Sequence, residues 1–317
     1  MNFKKTILVT GGAGFIGSTL LNHLVIKYPK YTFINIDSLT AVADLNNIEV
    51  AESQNYFFAQ VDIRDRVSLE EIFKNHEVTD VMHLAAESHV DVSITNPNIF
   101  IETNLVGTGN LLSLALKYNI NRFLHVSTDE VYGSLSLTDA PFTEASPLLP
   151  NSPYSASKAG SDCLVRAFNV TYGLDTIITR CSNNYGPRQD LSKFIPNAIC
   201  KLLSDESIPV YGDGSNIRDW LFVDDHVTAL DLLFHEGKSG EVYNIGGGTE
   251  KSNLEVAQMI AELAGLPNAI AFVEDRKGHD FRYAIEDKKI RELGYSPNTP
   301  FDTGIQTTFT WYRSKLS

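Results

Sequence analysis

In the stretch FLHVSTDEVYG, residues 123–133, a hydroxyl and two carboxyl groups (Thr128, Asp129 and Glu130) follow directly on an apolar run. Downstream, YSASK places Tyr154 and Lys158 four residues apart at the start of a helical pattern, so both project from one face. A phenol with an ammonium beside it can take the proton of an alcohol as hydride leaves the carbon, because the positive charge favours the phenolate. Thr128 adds a hydroxyl that can hold the same alcohol. Those three side chains suffice for a dehydrogenase or an epimerase. Asp129 and Glu130 allow more. Once a sugar alcohol at C4 is a ketone, the C5 proton is acidic, and Glu130 can remove it while a protonated Asp129 donates to the leaving C6 hydroxyl. Water departs, hydride returns to C6 and a proton to C5, so the redox cofactor is regenerated. Adjacent carboxyl groups can divide this work when their surroundings leave only one ionised. Read alone, Asp129 fits a turn cap and Glu130 an exposed ion pair. The Tyr154–Lys158 pair tips the reading towards chemistry.

Such chemistry needs a hydride carrier, and the N-terminal segment offers a place for one. GGAGFIG spaces Gly11, Gly14 and Gly17 as G-x-x-G-x-x-G between an apolar run and a helical pattern, with Phe15 and Ile16 inside the motif. Glycines permit a tight turn and a close approach of phosphate to the backbone, and the following helix start presents unpaired N–H groups. Asp37 ends the next apolar run 20 positions after Gly17, where a carboxylate can accept from both ribose hydroxyls. A 2′-phosphate would meet that negative charge, and SLTAV beside it supplies no Arg or Lys, so the expected cofactor is NAD rather than NADP.

The elements that must position these groups alternate regularly. KTILVTGGAGFIGSTLLNHLVIKY reads as strand, glycine turn and helix. Strand patterns follow at 31–39 and 55–63, DVMHLAAESHV reads as a strand plus polar loop, and the run before Thr128 is the next strand. Helical patterns separate them, including long ones at 98–118 and 154–172. This alternation predicts an α/β fold: a Rossmann-type parallel sheet flanked by helices, with a smaller mixed C-terminal substrate-binding domain. Residues 1–180 are expected to be mainly NAD-binding and 181–317 mainly a substrate-binding cap, with some segments crossing back to the first domain. Within the second part, 208–234 reads as a short hairpin-like piece followed by a helix, and 271–285 as a short strand.

Composition bounds the alternatives. The chain has 317 residues, 43% hydrophobic and 21% charged, which suits one large cofactor-binding unit with a cap. A formal net charge of −13 argues against extended contact with nucleic acid or an anionic membrane. No apolar run reaches the ~20 residues that cross a bilayer. The N-terminus does not read as a signal peptide. Cys163, Cys181 and Cys200 lack paired or metal-site spacing and suit a reducing cytoplasm as buried small apolar residues. His83, His89, His125 and His279 show no metal-site arrangement, and no metal is expected.

The segments TGGAGFIG, SHVDVSI, ETNLVGTGNLL, STDEVYG, SPYSASKAGSD, NNYGPRQ, IRDW and GHDFRYAI together resemble the extended short-chain dehydrogenase/reductase family, specifically its nucleotide-sugar 4,6-dehydratases, over nearly the whole chain. The resemblance implies the roles given above to Thr128, Asp129, Glu130, Tyr154 and Lys158. It also implies that the substrate is a nucleotide sugar, bound mainly by residues 181–317. It implies NAD held tightly, with Asp62 and Ile63 bracketing adenine. It places Glu87 and Ser88 beside the hexose, Asn183 near its phosphate link and Lys193 at the nucleotide end. Arg218 and Arg276 would face the diphosphate, with His279 close by. It further implies a cytoplasmic homodimer joined through the helices at 98–118 and 154–172. The substrate implied first is dTDP-glucose, with UDP-glucose or UDP-N-acetylglucosamine as alternatives; a 4-epimerase and an inactive NAD-binding regulator are further readings. Val92 stands where the family usually has Arg, LTAVAD where it often has LTYAGN, and LSK (191–193) where it has PEK. The last change bears on the choice between thymine and uracil.

Overall fold

The computed structural model describes residues 5–275 and 279–316. Five strands open the chain, β1 (Thr6–Thr10), β2 (Thr32–Asp37), β3 (Tyr56–Gln60), β4 (Asp80–His83) and β5 (Arg122–Thr128). Between them lie α1 (Phe15–Lys27), α2 (Arg66–His76), α3 (Val90–Thr95), α4 (Pro97–Phe100) and α5 (Thr108–Lys117). Apart from β3 at the sheet edge, the strands are almost wholly buried and rich in Ile, Leu, Val and Phe, as a parallel sheet covered on both faces requires. After an irregular link come α6 (Pro153–Tyr172) and β6 (Thr176–Cys181). The helix α6 begins at Ser152, whose side chain accepts from Ser155 N in a capping box, with Pro153 in its first turn.

The large sheet has seven strands in the order β10-β6-β5-β4-β1-β2-β3, where β10 is Val242–Ile245, and every pair is parallel. Strand order reverses between β1 and β4. The crevice at their carboxyl ends is where open α/β sheets bind ligands. One apolar core lies under α1 and includes Leu20, Leu24, Leu230 and Leu233; the other lies under α2, α5 and α6 and includes Phe73, Leu111, Leu114 and Val165.

The rest of the chain comprises β7 (Asn183–Tyr185), α7 (Phe194–Leu203), β8 (Ile208–Tyr211), β9 (Ile217–Phe222), α8 (Val223–Glu236), β11 (Glu250–Ser252), α9 (Asn253–Leu263), β12 (Ile270–Val273), α10 (Lys288–Arg291) and α11 (Phe301–Leu316). A third core unites Ile195, Ile199, Ile260, Ile305 and Phe309. Through β10, the chain returns from this part to the edge of the large sheet.

Three expectations need correction. The hairpin-like piece does not form: β8 pairs with β12 in parallel, and β9 lies between β7 and β11. Gly212 and Gly214, at φ +59° and +76°, turn the chain away so that β9 can reach back beside the large sheet. Second, Pro97–Lys117 is one helical run of 21 residues with mean hydropathy 1.3, long and apolar enough by composition to cross a bilayer; 44% of its most apolar window is buried inside this fold. Third, Cys163 is exposed on α6, although Cys181 is buried.

Candidate active site

Gly11 takes φ +72°, and a Cβ there would come within 2.7 Å of the Ala85 backbone, so the turn after β1 can touch the end of β4 only with glycine. A Cβ on Gly17 would meet Gly11 O at 2.2 Å. The first turn of α1 therefore packs tightly against the glycine loop, leaving its N–H groups for a ligand. Gly11, Gly14, Phe15, Ile16 and Gly17 line one cleft together with Asp37, Asp62 and Ile63. Asp37 Oδ2 accepts from Ala13 N at 3.0 Å and Oδ1 from Leu39 N at 2.8 Å, which fixes the carboxylate at the β2 end. This cradle fits a dinucleotide: backbone donors meet the pyrophosphate and a fixed carboxylate meets a ribose. Arg64 also lines the cleft, but its guanidinium is engaged with Asp62, Nη2 to Oδ2 at 2.6 Å. Ile63 packs against Gly107, where a Cβ would fall 2.6 Å from Ile63 Cδ1. Thr40, Val42 and Ala43, from the altered LTAVAD stretch, lie on the same wall.

Thr128, Asp129, Glu130, Tyr154 and Lys158 line the same cleft. Strand β5 ends at Thr128, and a single tight helical turn, Asp129–Tyr132, carries the two carboxyl groups over the strand end. Helix α6 brings Tyr154 and Lys158 from the side, both buried. Lys158 Nζ donates to Val126 O at 2.7 Å, tying helix to strand. Asp129 is 2% exposed, and its Oδ2 has no partner among the described residues. Burial first, then the negative charges of Glu130 and Asp219, hold its carboxyl well above the usual range, against the opposing pull of Arg218 and Thr128. Asp129 thus holds its proton more tightly than an ordinary carboxyl group, with Glu130 beside it. Burial, with Glu130 next in effect, also raises the Tyr154 phenol, opposed by a hydrogen bond with Thr128. Burial depresses the Lys158 ammonium to about 8, with Asp162 working the other way.

Glu87, Ser88, Asn183 and Lys193 line the same cleft. Lys193 Nζ donates to Ser88 O at 2.9 Å, bridging the two sides. Asp190 and Ser192 face the cleft, whereas Leu191 of the LSK departure is outside its lining and 47% exposed. Arg218 is placed differently from a cleft-lining cation. It is buried, donates to the carbonyls of Ile217, Asp280 and Phe281, and stacks on the Tyr283 ring with 4.4 Å to the centroid. His279 Nδ1 meets Asp275 Oδ1 at 2.7 Å, and its ring stands edge-on to Tyr211, outside the cleft lining. Arg276 lies outside the described residues.

The structure also adds residues that motif reading passes over. Asn104 sits in a π-helical turn, Ile101–Gly107, that joins α4 to α5. Its side chain bonds the Glu87 backbone and Ser157 Oγ, which in turn donates to Tyr154 O. Asp219 on β9 accepts from Gly247 N and Thr249 N, and its negative charge adds to the upward shift of the Asp129 carboxyl. Cys181 lines the cleft, but burial first of all pushes its thiol up to about 12, so it is no nucleophile at neutral pH.

The family model described as GDP-mannose 4,6 dehydratase matches residues 8–308. A dTDP-glucose 4,6-dehydratase of Neisseria meningitidis serogroup B is 50% identical over 97% of this chain and 93% of its own length. The crystal structure of the DesIV dTDP-glucose 4,6-dehydratase of Streptomyces venezuelae, solved with NAD bound, superposes with a TM-score of 0.94 at 46% identity, covering 98% of this chain and 97% of that one. A UDP-glucose 4-epimerase of Thermotoga maritima gives a TM-score of 0.92 at 31% identity, covering 98% and 100%.

Proposed function

The chain belongs to the GDP-mannose 4,6 dehydratase family, within the short-chain dehydrogenase/reductases, and from that membership we propose that it acts as an NAD-dependent dTDP-glucose 4,6-dehydratase. The observation that carries this reading is the buried Asp129, its carboxyl held well above the usual range, next to Glu130 in the cleft that Tyr154 and Lys158 also line. An epimerase and a dehydratase share this fold at nearly equal TM-scores, so fold alone does not separate them. The acid pair does, because epimerisation at C4 requires no proton donor at C6.

Bound NAD supplies the oxidant for C4 and, once reduced, the reductant for C6. Tyr154 takes the proton of the C4 hydroxyl, with Thr128 holding the same oxygen. Lys158 holds the nicotinamide ribose and, by its charge, favours the ionised phenol. Glu130 removes the C5 proton that the new ketone acidifies. Asp129, neutral at the start, donates to the C6 hydroxyl as it leaves. Glu130 then returns a proton to C5, and the proton that Tyr154 took from the C4 hydroxyl passes back through solvent to Asp129, so that every group starts the next turnover as it began. Glu87 and Ser88 contact the hexose, Asn183 the phosphate link and Lys193 the nucleotide end. Arg218, expected at the diphosphate, also acts on the site through its charge near Asp129 and its stack on Tyr283.

Residues 1–180 form the cofactor half and 181–317 the nucleotide-sugar half, with β10 contributed back to the first. A homodimer fits the apolar side chains left exposed on the two candidate helices and their flanks, Ile94, Ile101, Val106 and Val170. Sedimentation that stays monomeric at every concentration would remove that part. A cytoplasmic location accords with three free thiols and is checked by cell fractionation.

The test is incubation of the NAD-supplemented protein with dTDP-glucose, UDP-glucose and UDP-N-acetylglucosamine, followed by mass analysis. Loss of one water from dTDP-glucose is expected. Water loss from a UDP-sugar alone, or isomerisation without loss of mass, overturns the proposal.

A further inference from the structure

Beneath the catalytic helix lies a group of charged side chains that the reaction does not use. Asp162 stands one helical turn beyond Lys158 on the buried face of α6. Arg180, from β6, donates through Nε to Asp162 Oδ2 at 2.9 Å. His125, from β5, faces Asp162 Oδ1 at 3.4 Å, a contact without a formed hydrogen bond. Arg180 Nη1 donates to the Tyr132 hydroxyl at 2.9 Å, and that hydroxyl donates to Asn244 Oδ1 at 2.8 Å. Tyr132 ends the same short turn that carries Asp129 and Glu130. Asp162 therefore joins the helix holding Lys158 to the turn holding both reacting carboxyl groups.

Lys158, Asp162, Arg180 and His125 are 4%, 2%, 5% and 0% exposed, so solvent screens none of their charges effectively. Two cations here without an anion would repel strongly in a medium of low effective dielectric. Arginine does not release its proton in proteins, so lysine would be the group to become neutral. A neutral amine could neither favour the Tyr154 phenolate nor hold a ribose as an ammonium does.

We propose that Asp162 is a positioning residue that cancels the buried charge of Arg180 and thereby keeps Lys158 charged and in place. This rests on the role of Lys158 given above and extends it to a residue that touches neither substrate nor cofactor.

The groups around Lys158 define which one can titrate. On α6 these are Asp162 and Tyr154, on β5 His125, on β6 Arg180 and Cys181, on β4 His83, and on the turn after β5 Asp129 and Glu130. Burial and neighbouring cations hold His83 well below its ordinary value and His125 at about 4. Tyr154 is raised well above 10 and Cys181 to about 12, both by burial first. Lys158, at about 8, and Asp129, whose raised carboxyl has to keep its proton to act as a donor, are left to set the alkaline limb of activity.

The experiment compares pH profiles of kcat/KM for dTDP-glucose dehydration in the NAD-loaded wild type, Asp162→Asn and Arg180→Gln. Asp162→Asn should move the alkaline limb down by about one pH unit, an extra loss of about tenfold on the alkaline side relative to acidic pH. Arg180→Gln leaves Asp162 uncompensated and should move the limb upward. A merely structural role would lower both profiles evenly. Unmoved limbs, or shifts of the same sign, overturn the proposal. Should one variant fail to fold, the direction of the other decides; failure of both to fold with NAD present assigns the cluster to stability and overturns it as well. A wild type that does not dehydrate dTDP-glucose overturns the functional reading itself, a result distinguishable from any behaviour of the variants.

Discussion

Asn104 grips Glu87 by the backbone on both sides: Oδ1 accepts from Glu87 N at 2.8 Å, and Nδ2 donates to Glu87 O at 2.9 Å. The same Nδ2 donates to Ser157 Oγ at 2.9 Å, and Ser157 donates to Tyr154 O at 2.7 Å. One buried amide thus spaces the loop after β4 from the first turn of α6. The π-helical turn makes this possible by projecting Asn104 inward while Gly107 lets Ile63 approach.

Replacing this amide by a methyl leaves buried donors and acceptors unmet. Asn104→Ala should lower unfolding stability by about 2 kcal/mol, read from urea denaturation. Because the loop carries Glu87 and Ser88, KM for the sugar nucleotide should rise more than kcat falls. An unchanged KM would detach the loop from substrate binding.

The burial of Asp129 makes a clean dissection possible. In Asp129→Asn an amide of nearly equal shape replaces a carboxyl that burial already disfavours in its charged form, so the fold and NAD retention should survive. What disappears is the transferable proton. C4 oxidation, followed by the absorbance of reduced nicotinamide, should persist while release of dehydrated product falls about 10²–10⁴-fold. Equal loss of both partial reactions would remove Asp129 from its assigned role.

These residues differ in how plainly the sequence announces them. Gly11 and Gly17 are legible because their reason is local: no other residue type permits that turn and that approach. Tyr154 and Lys158 are legible because a helix has a fixed period. Strand β10 is not, since a four-residue apolar run carries no mark of which sheet it will join. For the same reason β8 and β9 read as a hairpin although each finds a different partner. Arg218 resembled a ligand-facing cation, but its burial depends on carbonyls more than 60 positions away, at Asp280 and Phe281. Asp162, four residues after a lysine on a helix, has the spacing of an ordinary surface ion pair. Only the fold reveals that its face is buried.

Far from the chemistry, Asp231 on α8 gathers Lys27 at 2.6 Å, Tyr28 at 2.9 Å, His23 at 3.1 Å and His235 at 3.0 Å. Three of these donors belong to α1 or its end, so the cluster clamps the helix of the glycine loop to α8. Burial opposes ionisation of Asp231, but bonds from His23, His235, Lys27 and Tyr28 outweigh it and hold the carboxyl well below its usual range. For His235, burial favours the neutral ring, yet the Asp231 side chain and carbonyl raise it above its ordinary value. The histidine contribution is therefore fully present below about pH 6.5, the unfolded value, and disappears as pH rises through the raised folded value. The aspartate contribution is present above about pH 4 and fades as pH falls towards the depressed folded value. Between those limits the clamp is strongest. His235→Gln removes the titrating ring, so the stability gap between wild type and variant should be roughly 0.5–1 kcal/mol near pH 6, after solvent screening, and should shrink towards pH 8.5. Urea midpoints measured across that range decide it. A gap that stays constant or widens with rising pH would show that His235 is not held protonated by Asp231.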